Sequence, residues 1–173
     1  MKTDYKKLIR DIPNFPIEGV LFRDVSPLMS NAEAFANVAT DFGEYLNLNQ
    51  IDAFVGIESR GFIFAAQLAA IFKKGFIPLR KKGKLPPPLV SESYKLEYGE
   101  ATLEMNPSQN NLHTKTRVVV CDDVLATGGT LKASISLCEK AGYDVQDILV
   151  LINLTFLNEM TFKSQKIKSL VQY

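Results

Sequence analysis

Residues 117–130 constrain this chain more than any other stretch. Arg117-Val118-Val119-Val120-Cys121 reads as a buried strand, and it runs straight into Asp122 and Asp123. Val124-Leu125-Ala126 leads into Thr127-Gly128-Gly129-Thr130, and a helix is predicted from about Gly129 to Ala141, stopped by Gly142. A strand that feeds a glycine-rich turn and then a helix belongs to α/β sheets, whose ligands bind at the carboxyl ends of the strands. Glycines let the backbone approach an anion, and the N–H groups of a helix start point at it with a favourable dipole. Thr127 and Thr130 add hydroxyl donors. Asp122 and Asp123 would repel a phosphate, so they suit neutral hydroxyls or a metal. A phosphate beside paired hydroxyls describes a ribose 5-phosphate. No lysine directly follows the glycines, so this is not a Walker A loop, and the spacing is not G-x-G-x-x-G.

The rest of the chain fits an α/β sheet. Ala53-Phe54-Val55-Gly56-Ile57 and Gly75-Phe76-Ile77-Pro78-Leu79 are short apolar runs typical of strands covered on both faces. The Ala-rich segment Gly61 to Phe72 between them reads as a helix, which makes a parallel βαβ unit. Ser30 and Glu33 form a capping-box pattern ahead of Phe35, Val38, Ala39, Phe42, Tyr45 and Leu46, which recur at helical spacing. Residues 3–10 read as a short helix before the ordered turn Ile12-Pro13-Asn14-Phe15-Pro16, and Val20 to Arg23 as an extended piece. Val145 to Leu154 is a late strand, and Ser169 to Tyr173 a last edge strand. Residues 80–110 break the rhythm, with Arg80, Lys81, Lys82 and Lys84 followed by Pro86, Pro87 and Pro88. Ser91–Leu96 and Ala101–Met105 then flank Tyr98-Gly99 as two antiparallel strands. A long excursion of this kind reads as a functional lid or a disordered segment.

Composition bounds the function classes. The 173 residues, 46% of them hydrophobic, suit one domain that buries about 70% of its unfolded surface. Collagen, coiled coil and disorder are excluded. Twenty Lys+Arg against 19 Asp+Glu leave a net charge of +1, which argues against a nucleic-acid binder. Cys121 and Cys138 have no metal spacing and read as buried thiols of a reducing compartment. The N-terminus has no signal-peptide pattern, and no apolar run approaches the ~20 residues of a membrane span, so a cytoplasmic protein is expected.

Cys121 to Thr130 resembles the phosphoribosyl-pyrophosphate (PRPP) signature of the type I phosphoribosyltransferases, and further stretches resemble those members that act on adenine. These are Phe15-Pro16 with Leu21-Phe22-Arg23-Asp24, Gly56 to Phe62, Arg80 to Pro86, and Leu96-Glu97-Tyr98-Gly99, all in the family's order. The resemblance implies a central parallel sheet flanked by helices, with an N-terminal hood over residues 1–30. It also implies a basic segment and flexible antiparallel lid loop over residues 80–110. The implied reaction is Mg²⁺-dependent purine salvage, in which adenine and PRPP give AMP and pyrophosphate. Asp122, Asp123, Ala126, Thr127, Gly128, Gly129 and Thr130 are implied to hold the ribose and its phosphate. Ser59, Arg60, Arg80, Lys81 and Lys84 are implied to hold the pyrophosphate. Leu21, Phe22 and Arg23 would take the adenine, Phe22 by stacking and the other two through backbone groups. Glu97 is the implied acid–base on the purine and Tyr98 a lid residue, with Asp123 and Arg60 also at the reacting centre. The family further implies a non-proline cis peptide at Glu58–Ser59, a homodimer, and Mg²⁺ held mainly by PRPP and water. The chain departs from the family at Asn153, where a glutamate is usual, and resembles it only loosely over residues 155–173. A phosphoribosyltransferase for a 6-oxopurine is the second reading. Such a base presents an acceptor where adenine presents a donor, and a site built for one leaves a buried group unpaired with the other.

Overall fold

A computed structural model describes residues 3–95, 100–107 and 115–173. A 3₁₀ turn at Tyr5–Leu8 leads into the hairpin β1 (Arg10–Pro13) and β2 (Leu21–Asp24). Helices α1 (Ser26–Ser30) and α2 (Ala32–Gly43) follow. Then come β3 (Ala53–Ile57), α3 (Arg60–Phe72) and β4 (Gly75–Lys81). The antiparallel pair β5 (Val90–Lys95) and β6 (Glu100–Met105) precedes β7 (Arg117–Leu125), α4 (Gly129–Lys140) and β8 (Asp144–Asn153). A small hairpin, β9 (Thr161–Phe162) and β10 (Gln165–Lys166), and the strand β11 (Lys168–Gln172) end the chain.

The main sheet has the order β11-β8-β7-β3-β4-β6-β5. The five strands from β11 to β4 are parallel, and β6 and β5 extend the sheet as an antiparallel edge. Alternation along β3 sends Phe54 to one face, with α2, α3, Val119 and Cys121. Ala53, Val55 and Ile57 go to the other face, with α4, Val118 and Val120. Every residue of β3 is buried, which is why its sequence is a continuous apolar run. The antiparallel edge also carries core, since Leu103 and Met105 of β6 pack with β3 and β4.

Several sequence expectations shift. Residues 3–10 form a 3₁₀ turn and the start of β1 rather than a helix. Ser30 ends α1, and the cap of α2 is Asn31, whose side chain accepts from Ala34 N at 3.0 Å. The basic residues Arg80 and Lys81 belong to β4, where they pair with Glu104 and Leu103 of β6. Asp122 and Asp123 lie within β7, which continues to Leu125 because β8 pairs with it that far. Both cysteines are buried free thiols. Among the described residues no helix is long and apolar enough to cross a membrane.

Candidate active site

The carboxyl ends of β3, β4 and β7 meet at one edge of the sheet. β7 runs out at Leu125, and Ala126, Thr127 and Gly128 turn the chain into α4. Gly128 is the N-cap with φ +86°, and a Cβ there would stand 3.0 Å from Met160 Sδ, so only glycine fits. Among the described residues no side chain caps α4, so its first-turn N–H groups keep their donor capacity. The residues Val124 to Leu131 line a cavity of ≈ 70 Å³, a cradle made by the loop alone.

Asp122 and Asp123 sit immediately before that cradle. Burial raises the Asp122 carboxyl well above its ordinary value, and the neighbouring Asp123 charge adds to the shift. Burial also raises Asp123, against the opposing pull of Arg60. Arg60 Nε lies 2.7 Å from Asp123 Oδ2, an ionic contact out of line for a hydrogen bond. Asp122 Oδ1 accepts from the Asp123 N–H at 2.9 Å. Gly61 lets α3 start this close to β7, because a Cβ there would stand 2.7 Å from Cys121 O.

Arg60 also reaches the hood. Its guanidinium carbon lies 4.8 Å from the centroid of the Phe22 ring, a cation–π contact. Phe22 is met edge-on by Phe15, with ring centroids 5.1 Å apart. Leu21 is exposed beside them. The side chain of Arg23 turns away: it pairs with Asp11, and its guanidinium carbon stands 3.7 Å over the Tyr173 ring.

The turn after β3 carries the cis peptide Glu58–Ser59 that the resemblance implied. Glu58 is the organiser that the sequence reading missed. Its carboxylate accepts from Lys84 Nζ at 2.6 Å, from Lys81 N at 2.8 Å and from Arg80 Nε at 3.1 Å. Burial alone would raise the Glu58 carboxyl, but the bonds from Lys84, Lys81 and Arg80 outweigh it and hold it at about 2. Ser59 and Arg60 follow directly, so the basic segment is tied to the turn at the start of α3. No local signal marks Glu58, because its partners lie 22 to 26 residues away. Glu97 and Tyr98 lie outside the described residues, as does His113.

The strand ends, the cradle and the paired carboxylates all lie within residues 26–166, which match the family model of the phosphoribosyl transferase domain, and the chain belongs to that family. Within it the chain belongs with the adenine phosphoribosyltransferases. It is 56% identical over 170 residues to that enzyme from Bdellovibrio bacteriovorus, covering 98% of this chain and 99% of the relative. The crystal structure of the Thermoanaerobacter pseudethanolicus enzyme superposes with a TM-score of 0.90 at 39% identity, covering 98% of both chains. The Saccharomyces cerevisiae enzyme, solved with D-2,5-dideoxy-2,5-imino-altritol 1,6-bisphosphate and adenine, gives 0.86 at 32% identity over 97% of this chain and 96% of that one.

Proposed function

We propose that this chain transfers the 5-phosphoribosyl group of PRPP to adenine, giving AMP and pyrophosphate in purine salvage. The observation that carries the proposal is Arg60, which touches Asp123 of β7 and stands over Phe22 of the hood. It thus joins the proposed ribose, pyrophosphate and base positions in one contact set.

In the proposed reaction the bond from the anomeric carbon to the pyrophosphate oxygen breaks, and its electron pair leaves with pyrophosphate. Adenine N9 forms the new bond to that carbon, and the N9 proton passes to Glu97. The loop 126–130 holds the 5-phosphate with Thr127, Thr130 and backbone N–H groups, while Asp122 and Asp123 accept from the ribose hydroxyls. Asp123 also faces the cationic ribosyl that develops as pyrophosphate departs. Ser59, Arg60, Arg80, Lys81 and Lys84 take the pyrophosphate, and Arg60 supplies a planar fork of donors. Phe22 stacks on adenine, backbone groups of Leu21 and Arg23 read its 6-amino edge, and Tyr98 closes the lid, excluding water from the anomeric carbon.

Asp122 and Asp123 are hard oxygen donors, and among the described residues no group of three or more His, Cys, Asp or Glu side chains could hold a metal ion. Mg²⁺ would be carried mainly by PRPP oxygens and water, where it would neutralise part of the pyrophosphate charge. A homodimer in the cytoplasm completes the proposal, with no nucleic-acid or membrane partner. The family resemblance supports the dimer, and the two buried thiols support a reducing compartment.

The test is AMP formation from adenine, PRPP and Mg²⁺, run beside hypoxanthine, guanine and xanthine, with and without chelator. Adenine-only turnover that chelation abolishes is expected. Arg60→Ala should then lower kcat/KM at least ~100-fold, since a charge-assisted donor at the leaving group is lost. Turnover of a 6-oxopurine would overturn the base assignment, and turnover in chelator would overturn the metal requirement.

A further inference from the structure

Asn158 lies beyond β8, outside every stretch that carried the sequence reading, yet its side chain reaches the glycine loop. Its Nδ2 donates to Ala126 O at 2.8 Å, to Leu154 O at 3.0 Å and to Asn153 Oδ1 at 3.1 Å. Its Oδ1 accepts from Met160 N at 3.1 Å. Met160 in turn places Sδ 3.0 Å from where a Cβ on Gly128 would stand. The turn 154–160 therefore meets the loop at two points, the carbonyl of Ala126 and the bare Cα of Gly128. On the far side of Asn158 lies a cavity of ≈ 420 Å³, lined among others by Asn153, Thr155, Glu159 and Lys166. Met160 packs on the loop at Gly128, and Asn158 supplies the hydrogen bond to its carbonyl at Ala126.

Asn153 is buried, and the family departure at this position finds its structural setting here. Its side-chain oxygen accepts from Asn158, and its backbone oxygen accepts from Tyr173 N at 3.1 Å. A neutral acceptor meets a neutral donor, so the pair adds no charge beneath a loop built for an anion.

We infer that Asn158, oriented by Asn153, is a positioning residue that fixes loop 126–130 for the phosphate of PRPP. The inference rests on the reading of that loop as the 5-phosphate cradle. A cradle of backbone N–H groups works only while they converge on one point, and a displacement near 1 Å weakens every contact at once.

The test compares Asn158→Ala, Asn158→Asp and Asn153→Asp, each nearly as large as the original or smaller. Asn158→Asp removes the donor to Ala126, whereas Asn153→Asp keeps an acceptor for Asn158 and adds charge to the same contact. Steady-state kinetics and PRPP calorimetry should show KM and Kd for PRPP rising about tenfold in both Asn158 variants, a factor worth about 1.4 kcal/mol. The rise in Asn153→Asp should be threefold or less, and KM for adenine should stay within about twofold throughout. An unchanged PRPP KM in the Asn158 variants would overturn the inference. An equal rise in Asn153→Asp would overturn it by showing that PRPP binding weakens without loss of the Asn158 donor. Parallel rises in both substrates' KM together with a fallen Tm would overturn it by showing general loosening. Wild-type enzyme that forms AMP is the control: its failure would remove the functional reading itself, a result distinct from all three.

Discussion

Glu58 shows how much a single buried carboxylate can organise. Its side chain is 8% exposed and engages Arg80 and Lys84, which are 32% and 47% exposed. The contacts lower its pKa from 4.5 to about 2. A depressed carboxyl stabilises the fold above its unfolded pKa, and that stabilisation disappears as pH falls through the folded value. Wild type should therefore exceed Glu58→Gln by about 1 kcal/mol near neutral pH, a figure discounted for the solvent-exposed lysine. The gap should close between about pH 4.5 and pH 2. Urea titrations across that range measure it, and a constant gap would mean that packing rather than charge is responsible. Asp122 and Asp123 stood out as candidates from local sequence, at the end of an apolar strand ahead of a glycine turn, whereas Arg60 and Phe22 were singled out through the family resemblance. Glu58, Asn153 and Asn158 were not read as site residues. Glu58 and Asn158 reach partners as far as 26 and 32 residues away, so nothing in their own neighbourhoods points to the basic segment or the cradle, and Asn153 stood out only as a departure from the family.

At the scale of elements, apolar periodicity located most of the sheet and helices, and their ends were where it failed. The residues Ser30 and Glu33 have the spacing of a capping box, but Ser30 is taken up by α1, and the side-chain oxygen of Asn31 accepts from Ala34 N in the first turn instead. Asn31→Ala should cost about 1 kcal/mol of stability, while Ser30→Ala should change it by less than about 0.5 kcal/mol. Chemical denaturation of the two variants decides this, and equal losses would restore the serine as a cap. β7 likewise outruns its apolar run, because pairing with β8 continues beyond Cys121 and carries both aspartates with it. A strand ends where its partner ends, and that is not a local property.

At the scale of the whole molecule, the proposed site draws on the hood, the turn before α3, β4 and the loop before α4, so a ligand that touches several of them should tie them together. AMP at a hundredfold excess over its Kd should stabilise the protein by about 2.7 kcal/mol. For a chain of this length that corresponds to a rise in Tm of roughly 5–10 °C. IMP at the same concentration should give less than about 2 °C, because under the proposed base assignment its 6-oxygen faces the group that would accept from the amino group of adenine. Differential scanning fluorimetry measures both, and equal shifts would remove the base discrimination from the hood. The hood itself is held by contacts no short motif encodes, such as Lys6 4.1 Å and Arg23 3.7 Å from the ring of Tyr173. The sequence by itself determined the α/β class and the strand–glycine loop–helix unit with its two aspartates, because burial pattern, glycine and charge act through immediate neighbours. Only the tertiary structure decided which residues hold that loop and the basic segment in place. Hydrogen bonds between distant segments exist only once the sheet has brought its strand ends together.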